Sequence, residues 1–191
     1  MPLYHPHSGV GGRTIFIETQ LKGAYVIELQ RLENGRGFFA RAWCREEFRA
    51  RGLNPRLAQC GISYNERRGT LRGMHYQGAP HEEAKLVRCT RGAIHDVILD
   101  LRPNSPTFKR WVAVDLTAGE YPMLYVPEGF AHGFQTLEDD TEVFYQIFEP
   151  YHPESARGVR WNDPAFGIEW PLEVSVISGK DASLEDFDEG R

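Results

Sequence analysis

Short runs of β-branched, aromatic and aliphatic residues recur along the chain and alternate with segments rich in Gly, Pro, Asn and Asp. Runs of this length are typical of strands rather than of globular helices. The strand-like runs are Ala24–Leu32, Ala84–Thr90, Ala93–Leu101, Trp111–Leu116, Met123–Val126, His132–Leu137 and Glu142–Phe148. Because turn residues separate these short runs at regular intervals, we predict an all-β sandwich or barrel.

Helical patterns are few and short. Arg45–Arg51 places charged residues around Phe48 and stops at Gly52, and glycine commonly ends a helix. A second short helix is predicted near Ser183–Phe187. We expect both helices to lie at the periphery of the fold.

The chain has no sign of internal division. Its 191 residues contain no linker, repeat or low-complexity tract, and this length is enough to bury a sizeable core. We therefore expect a single domain spanning residues 1–191. Within it, residues 1–20 are predicted to form an N-terminal arm, and residues 182–191 an acidic tail exposed to solvent.

Composition argues against several classes of partner. The formal charge of -5 at pH 7 disfavours nucleic acid. We expect no membrane partner and no signal peptide, because the chain lacks a bilayer-spanning apolar stretch and its start lacks basic and apolar blocks. The three cysteines form no C-x-x-C pair and leave an odd count. This pattern predicts a reducing, cytoplasmic location.

One segment runs against the net negative charge. Residues 66–91 carry six Arg or Lys against three Glu. A local basic excess is typical either of a solvated surface or of a pocket for a small anion such as a diphosphate. Composition alone leaves both interpretations open.

Two charged residues fall on apolar faces of predicted strands. Alternation along Ala84–Thr90 puts Lys85 on the face that carries Val87 and Cys89. If that face is interior, the ammonium needs a carboxylate partner, an anionic ligand or loss of its proton. The alternative is an edge strand from which Lys85 reaches water. Asp96 has a similar position, as the partner of Lys85 or in a purely structural role.

Two further polar residues have both a functional and a structural interpretation. Gly73 lies two residues before His75, which predicts open space for a ligand beside the imidazole, although a lone histidine is more commonly structural. Tyr145 shares a face with Val143 and Ile147. It is either a core tyrosine or a proton donor that faces His75 across a cavity.

The histidines do not form a recognisable metal motif. His132 follows a turn and His75 precedes Gln77, so the closely spaced H-x-H of metal-binding cupins is absent. Two histidines supply too few ligands for a metal site. The His5 and His7 pair lies in the predicted arm. We therefore predict no required metal.

Six segments together, in order and spacing, resemble the dTDP-4-dehydrorhamnose 3,5-epimerase family. They are Arg36-Gly37-Phe38-Phe39, Leu71-Arg72-Gly73-Met74-His75-Tyr76-Gln77, Lys85-Leu86-Val87-Arg88, Ser105-Pro106-Thr107-Phe108, Pro127–Phe134 and Trp161-Asn162-Asp163-Pro164. The resemblance covers nearly the whole chain. It implies a cupin jelly roll that forms a homodimer through sheet edges, binds a nucleotide-diphospho-sugar and needs no metal or other cofactor.

The resemblance also implies a role for each matching residue. His75 corresponds to the catalytic base and Asp181 to its carboxylate partner. Lys85 corresponds to the cation that stabilises the enolate, and Tyr145 to the catalytic acid. The resemblance implies that Arg36, Arg72 and His132 bind the substrate, and we predict the same for Phe39, Arg41, Gln59 and Asp96. The expected reaction is epimerisation at C3, C5 or both carbons of a 4-keto-6-deoxy sugar, with dTDP-4-dehydro-6-deoxy-D-glucose as the leading substrate.

Arg41 departs from the family pattern, in which many members have Glu shortly after R-G-F-F. If this side chain meets the base, an acceptor has become a donor, which suits the N3 acceptor of cytosine better than the N3 donor of thymine. CDP is then an alternative to dTDP. Arg41 pointing to solvent or to the diphosphate remains the other interpretation.

Two rival functions come from different classes of cupin. One is a metal-dependent oxygenase or isomerase, which the missing H-x-H disfavours. The other is a non-catalytic sugar-nucleotide-binding protein, which the combined presence of His75, Lys85, Tyr145 and Asp181 disfavours.

Overall fold

The computed structural model describes residues 12–188, and strands dominate this part of the chain. The strands are β1 (Thr14–Glu18), β2 (Tyr25–Leu29), β3 (Leu32–Asn34), β4 (Gly37–Phe39), β5 (Gln59–Asn65), β6 (Thr70–Gln77), β7 (Lys85–Arg91), β8 (Ala93–Asp100), β9 (Trp111–Thr117), β10 (Met123–Val126), β11 (Phe130–Thr136), β12 (Thr141–Ile147), β13 (Ala156–Gly158) and β14 (Val176–Ile177). The helices described are α1 (Arg45–Ala50), α2 (Gly179–Ala182) and a 3-10 turn at Pro153–Ser155. The all-β prediction is confirmed.

Two sheets carry most of the strands. One sheet has the order β1-β2-β10-β7-β12-β5, and the other has the order β13-β6-β11-β8-β9. Neighbours within these orders are antiparallel, whereas β14 pairs with β6 in parallel. β3 and β4 form a separate hairpin. The non-sequential order within both sheets is that of a jelly-roll sandwich.

The main core lies between these sheets. Val87 and Cys89 from β7 are buried in one cluster with Ile98 from β8 and Phe134 from β11. They meet because alternate residues of a strand point to the same face. The turn at Gly92, where φ is 75 degrees, joins β7 to β8 and suits glycine, which adopts a positive φ without strain.

Both helices are peripheral, but only one falls where the pattern placed it. α1 ends at Ala50 and buries Phe48, which confirms that prediction. The prediction of a helix at Ser183–Phe187 is wrong, since α2 covers Gly179–Ala182. The hydroxyl of Ser178 accepts a hydrogen bond from the amide of Asp181 and so fixes the start of the helix earlier. Neither helix in residues 12–188 is long enough to cross a bilayer.

The two ends of the chain are more integrated than the sequence suggested. Within the predicted arm, Thr14–Glu18 is β1 and pairs with β2; residues 1–11, including His5 and His7, lie outside the described residues. Within the predicted acidic tail, Phe187 packs against Phe166 with ring centroids 5.2 Å apart. Residues 189–191 are likewise outside the described part. The acidic residues Glu185, Asp186 and Asp188 are exposed, as expected of a solvated tail, whereas Leu184 and Phe187 are half-buried.

Gly73 does not create open space beside His75, contrary to the prediction. A Cβ on Gly73 would lie 2.5 Å from the Cα of Gly133, and φ at Gly73 is 133 degrees. Both features require glycine, because a larger residue would collide with the backbone of β11 and adopt a strained conformation. Gly73 therefore allows β6 and β11 to approach closely.

We predict that Gly73→Ala lowers the free energy of unfolding by about 2 kcal/mol or more, because it adds a backbone clash to an unfavourable φ. Gly119→Ala is the control, since a Cβ at that position meets nothing within 4 Å. Chemical denaturation of both variants provides the measurement. Equal stability of the two variants would contradict the close approach of β6 and β11.

Candidate active site

A cavity of about 670 Å³ opens between the two sheets. Its volume is in the range of pockets that hold small ligands. The first sheet contributes Gln59, Ser63, Lys85, Tyr145 and Ile147 to its lining. The second sheet contributes Arg72, His75, Tyr76, Gln77, His132 and Phe134.

His75 on β6 and Asp181 on α2 form the first polar pair of the cavity. The Nε2 of His75 lies 2.7 Å from the Oδ1 of Asp181. The other carboxylate oxygen of Asp181 accepts a hydrogen bond of 3.3 Å from the amide of Gly73, so the carboxylate is held from two sides. A neutral imidazole that donates from Nε2 carries its lone pair on Nδ1. His75 is thereby set up to accept a proton at Nδ1.

The environment of His75 favours the neutral, basic form. Burial lowers the pKa of the imidazole below its ordinary value, and the nearby charge of Lys85 acts in the same direction. The hydrogen bond to Asp181 opposes this shift and raises the pKa. Because the lowering prevails, His75 remains largely unprotonated near neutral pH.

Lys85 is a buried cation on a central strand. Its strand β7 lies between β10 and β12, so the edge-strand alternative is wrong. The Nζ of Lys85 lies 2.8 Å from a carboxylate oxygen of Glu83, and both side chains are buried at the cavity wall. Asp96 is therefore not the partner of Lys85. The requirement that a buried ammonium be paired is met by Glu83 instead.

Asp96 belongs to a second histidine pair. Its Oδ1 lies 2.7 Å from the Nε2 of His132, and Asp96 is fully buried. His132 lines the cavity, whereas Asp96 lies behind it and is absent from the lining. The predicted substrate contact of Asp96 is thus replaced by a contact with His132. Asp96 positions the imidazole that faces the ligand space.

Tyr145 faces the cavity from the sheet opposite His75. Its ring meets that of His132 edge to face, with centroids 6.1 Å apart. Burial and the nearby charge of Asp96 raise the pKa of the Tyr145 phenol far above its ordinary value. The phenol therefore keeps its proton at physiological pH and is equipped to donate it.

The basic segment 66–91 contributes only part of the positive charge of the cavity. Of its cations, Arg72 and Lys85 line the cavity. The Nε of Arg72 donates to the side-chain oxygen of Asn65 at 2.7 Å. Arg157 and Lys180, from distant parts of the sequence, supply two further cations. Four cations from three regions therefore surround this space.

Besides Asp96, three residues implied in substrate binding do not line the cavity of their own chain. Arg36 lies in the turn of the β3–β4 hairpin, and Phe39 in that hairpin is 58% exposed. Arg41 forms an ion pair with Glu47, with 3.4 Å between Nη1 and Oε1. Gln59, in contrast, lines the cavity as predicted.

Sequence reasoning missed Glu83, Arg157 and Lys180. The spacing of Glu83, two residues before Lys85, was an available signal for a shared face. Lys180 is adjacent to Asp181 in the chain. Arg157 has no local pattern that marks it, because it reaches the cavity through the pairing of β13 with β6.

A base on one wall of a jelly-roll cavity and a proton donor on the other are what is needed to invert a carbon centre. Fold and site thus place the chain among the cupin-type epimerases. The particular family is identified by sequence comparison: the family model for dTDP-4-dehydrorhamnose 3,5-epimerase matches residues 18–189. The chain belongs to this family and is an isomerase.

Individual relatives agree with this assignment. A dTDP-4-dehydrorhamnose 3,5-epimerase of Sinorhizobium fredii is 42% identical over 159 residues, 83% of this chain and 82% of the relative. The crystal structure of the Bacillus anthracis enzyme with TDP and PPi bound has 38% identity and a TM-score of 0.87, covering 92% of this chain and 100% of that one. The Legionella pneumophila enzyme in complex with dTDP-4-keto-L-rhamnose has 35% identity and a TM-score of 0.84, covering 91% and 93%.

We predict that Asp181→Asn lowers the pKa of His75 further, because Asp181 is the main group that raises it. The acid limb of the rate profile, where protonation removes the base, should move to lower pH in the same variant. NMR titration of the His75 ring measures this shift directly.

The matched control is Asp115→Asn, which removes the partner of His95 from a pair with the same 2.7 Å separation outside the cavity. This control should leave the His75 titration unchanged. A rise in the His75 pKa in Asp181→Asn would contradict the proposed electrostatic role.

Proposed function

We propose that the protein epimerises a dTDP-4-keto-6-deoxy sugar, converting dTDP-4-dehydro-6-deoxy-D-glucose to dTDP-4-dehydro-L-rhamnose without a cofactor. The observation that carries the proposal is the placement of His75 and Tyr145 on opposite walls of one cavity. The activity for which the relatives are named, and the dTDP-4-keto-L-rhamnose bound to the Legionella enzyme, support this substrate.

The first step is removal of a proton from the carbon next to the C4 ketone. The lone pair of neutral His75 takes the proton, and the C–H electron pair moves into the ketone to form an enolate. Asp181 holds the tautomer and stabilises the imidazolium that results, as in other histidine–carboxylate pairs. Attack is restricted to one face of the sugar because His75 belongs to one wall.

Lys85 stabilises the negative charge that develops on the C4 oxygen. A fixed cation in a cavity shielded from water stabilises such an oxyanion more strongly than water does, by on the order of 3 kcal/mol. Glu83, 2.8 Å away, holds the ammonium in place before the sugar binds. The charge of Lys85 is therefore available when the enolate forms.

Tyr145 completes the inversion. The phenol returns a proton to the carbon from the face opposite His75, and the enolate electrons re-form the ketone. Because the two proton-transfer groups belong to different sheets, return to the original face is disfavoured. The tyrosinate and imidazolium then exchange protons with solvent to restore the starting enzyme. The same sequence at both neighbouring carbons gives double epimerisation.

The nucleotide diphosphate is proposed to contact Arg72, Arg157 and Lys180 at the cavity wall. Guanidinium groups are well suited to diphosphate oxygens because they offer paired donors. We propose dTDP rather than CDP, since Arg41 is occupied by Glu47 and relatives are named for dTDP sugars. We place the reaction in the cytoplasm, which agrees with the free thiols of the described cysteines.

A homodimer is proposed to complete each cavity. Arg36 and Phe39 belong to the β3–β4 hairpin and do not line the cavity of their own chain, and Phe39 is exposed. On the edge strand β5, the large apolar side chains Ile62 and Tyr64 are also exposed. Exposed apolar residues on a sheet edge favour pairing with another chain. A second copy could thus both cover β5 and deliver Arg36 and Phe39 to the substrate.

Solvent deuterium exchange tests the reaction. In D₂O, the wild-type enzyme should place deuterium at both C3 and C5 of dTDP-4-dehydro-6-deoxy-D-glucose, as detected by NMR; label at one carbon would identify a single epimerase. His75→Asn should abolish exchange, whereas Tyr145→Phe should retain exchange and lose inversion. Absence of label with dTDP, UDP, CDP and GDP sugars alike would refute the proposed function.

Lys85→Met tests oxyanion stabilisation separately. We expect kcat to fall by about 10² to 10³ while the circular dichroism spectrum stays that of the wild type. Because Met leaves Glu83 as a buried carboxylate without its cation, the double variant Glu83→Gln/Lys85→Met is the stability control. Wild-type kcat in a folded Lys85→Met enzyme would exclude the role.

Subunit mixing tests the shared cavity. His75→Asn and Arg36→Ala enzymes, unfolded together and refolded, should recover about a quarter of wild-type activity, since about half of the dimers are mixed and each contains one intact site. His75→Asn mixed with Tyr145→Phe should recover none, because both residues belong to the same chain's cavity. Recovery in neither mixture would exclude a contribution of the partner's hairpin.

A further inference from the structure

Two connections near the cavity bring three potential metal ligands together. His81 lies between β6 and β7, while Glu149 and His152 follow β12. One carboxylate oxygen of Glu149 lies 3.6 Å from the Nδ1 of His81 and 3.6 Å from the Nε2 of His152. The three ligand atoms all lie within 4.8 Å of one another. None of the three residues is used in the proposed epimerisation.

Buried Gln77 fixes the backbone on both sides of this cluster. Its side-chain amide donates to the carbonyl oxygens of His81 at 3.0 Å and Pro150 at 3.1 Å. Its side-chain oxygen accepts a hydrogen bond of 2.6 Å from the amide of His152. The three potential ligands are therefore brought together by a polar contact that does not require an ion, which reduces the cost of ordering them.

An outer carboxylate orients one of the imidazoles. The Nδ1 of His152 lies 3.2 Å from a carboxylate oxygen of Glu154. A histidine that donates from one ring nitrogen to a carboxylate presents the lone pair of the other nitrogen to a metal, an arrangement common around zinc. Here the other nitrogen is Nε2, which faces Glu149. The cluster thus has an outer contact as well as an inner donor set.

We infer that His81, Glu149 and His152 form a binding site for Zn²⁺ or a similar divalent transition metal. Two imidazole nitrogens and one carboxylate oxygen are a ligand set that zinc accepts, with water as the fourth ligand. In a tetrahedral zinc site the ligand atoms are about 3.3 Å apart, close to the two distances of 3.6 Å. The His81 and His152 rings are stacked, 3.5 Å between centroids, so one ring must rotate for both lone pairs to meet the ion.

The position of the site indicates a structural clip rather than a catalytic metal. Gln77, which hydrogen-bonds to the backbone of His81 and His152, and Tyr151, next to His152 in the chain, both line the cavity, whereas the ligands themselves do not. A bound ion would join the β6–β7 connection to the segment after β12 at this point. Metal binding to the folded state should raise the melting temperature, and the inference does not depend on the proposed reaction.

Zinc binding to the full chain tests the site. Protein stripped with EDTA and dialysed is titrated with ZnCl₂ against a chromophoric chelator, in a His5→Ala/His7→Ala background that removes the other histidine pair. We expect one zinc per chain and a higher melting temperature with zinc. His152→Ala and the conservative Glu149→Gln should each weaken binding at least about tenfold.

His95→Ala is the matched control, because it removes a histidine paired with a carboxylate elsewhere on the surface, and it should bind zinc like the background protein. X-ray absorption of the zinc-loaded protein should show nitrogen and oxygen ligands without sulfur. Absence of stoichiometric binding, or unchanged affinity in folded Glu149→Gln and His152→Ala proteins, would overturn the inference.

Discussion

The two sheets turn ionisable groups toward one shared cavity, and each such group must be paired because an isolated buried charge is costly. This constraint determines the site. The pairs are His75 with Asp181, Lys85 with Glu83, and His132 with Asp96. In each pair, the imidazole of His75 or His132 or the ammonium of Lys85 still lines the ligand space. The contacts that offset the free-energy cost of burying these groups therefore also orient them for proton transfer.

The fold could be predicted where alternation alone decides burial. In β7 and β8 the alternating pattern placed Lys85 and Asp96 on apolar faces, and both residues are buried. Alternation did not predict β1. Ile15 and Ile17 of this strand are exposed although they are apolar, so its apolar residues do not mark a buried face. The pattern also failed at Gly73, because a sequence shows that a side chain is missing but not that another backbone fills the space.

Partner identity within the site was harder to predict than the site itself. Asp96 was one of several possible partners for Lys85, with a structural role as the alternative, and its carboxylate lies beside His132 instead. The Asp181 pairing was available only through family resemblance, since 106 residues separate it from His75. Arg157 was missed for the same reason. Contacts between segments far apart in the sequence, which local patterns do not encode, decide all three.

The central claim is that His75 and Tyr145 address opposite faces of the bound sugar while Lys85 meets its C4 oxygen. A crystal structure of the complex with a dTDP-4-keto sugar, measured for these three contacts, tests it most directly. We expect the Nδ1 of His75 and the hydroxyl of Tyr145 on opposite faces of the ring, with the ammonium of Lys85 within hydrogen-bonding distance of the ketone. Both proton-transfer groups on one face, or a ketone directed away from Lys85, would contradict the account.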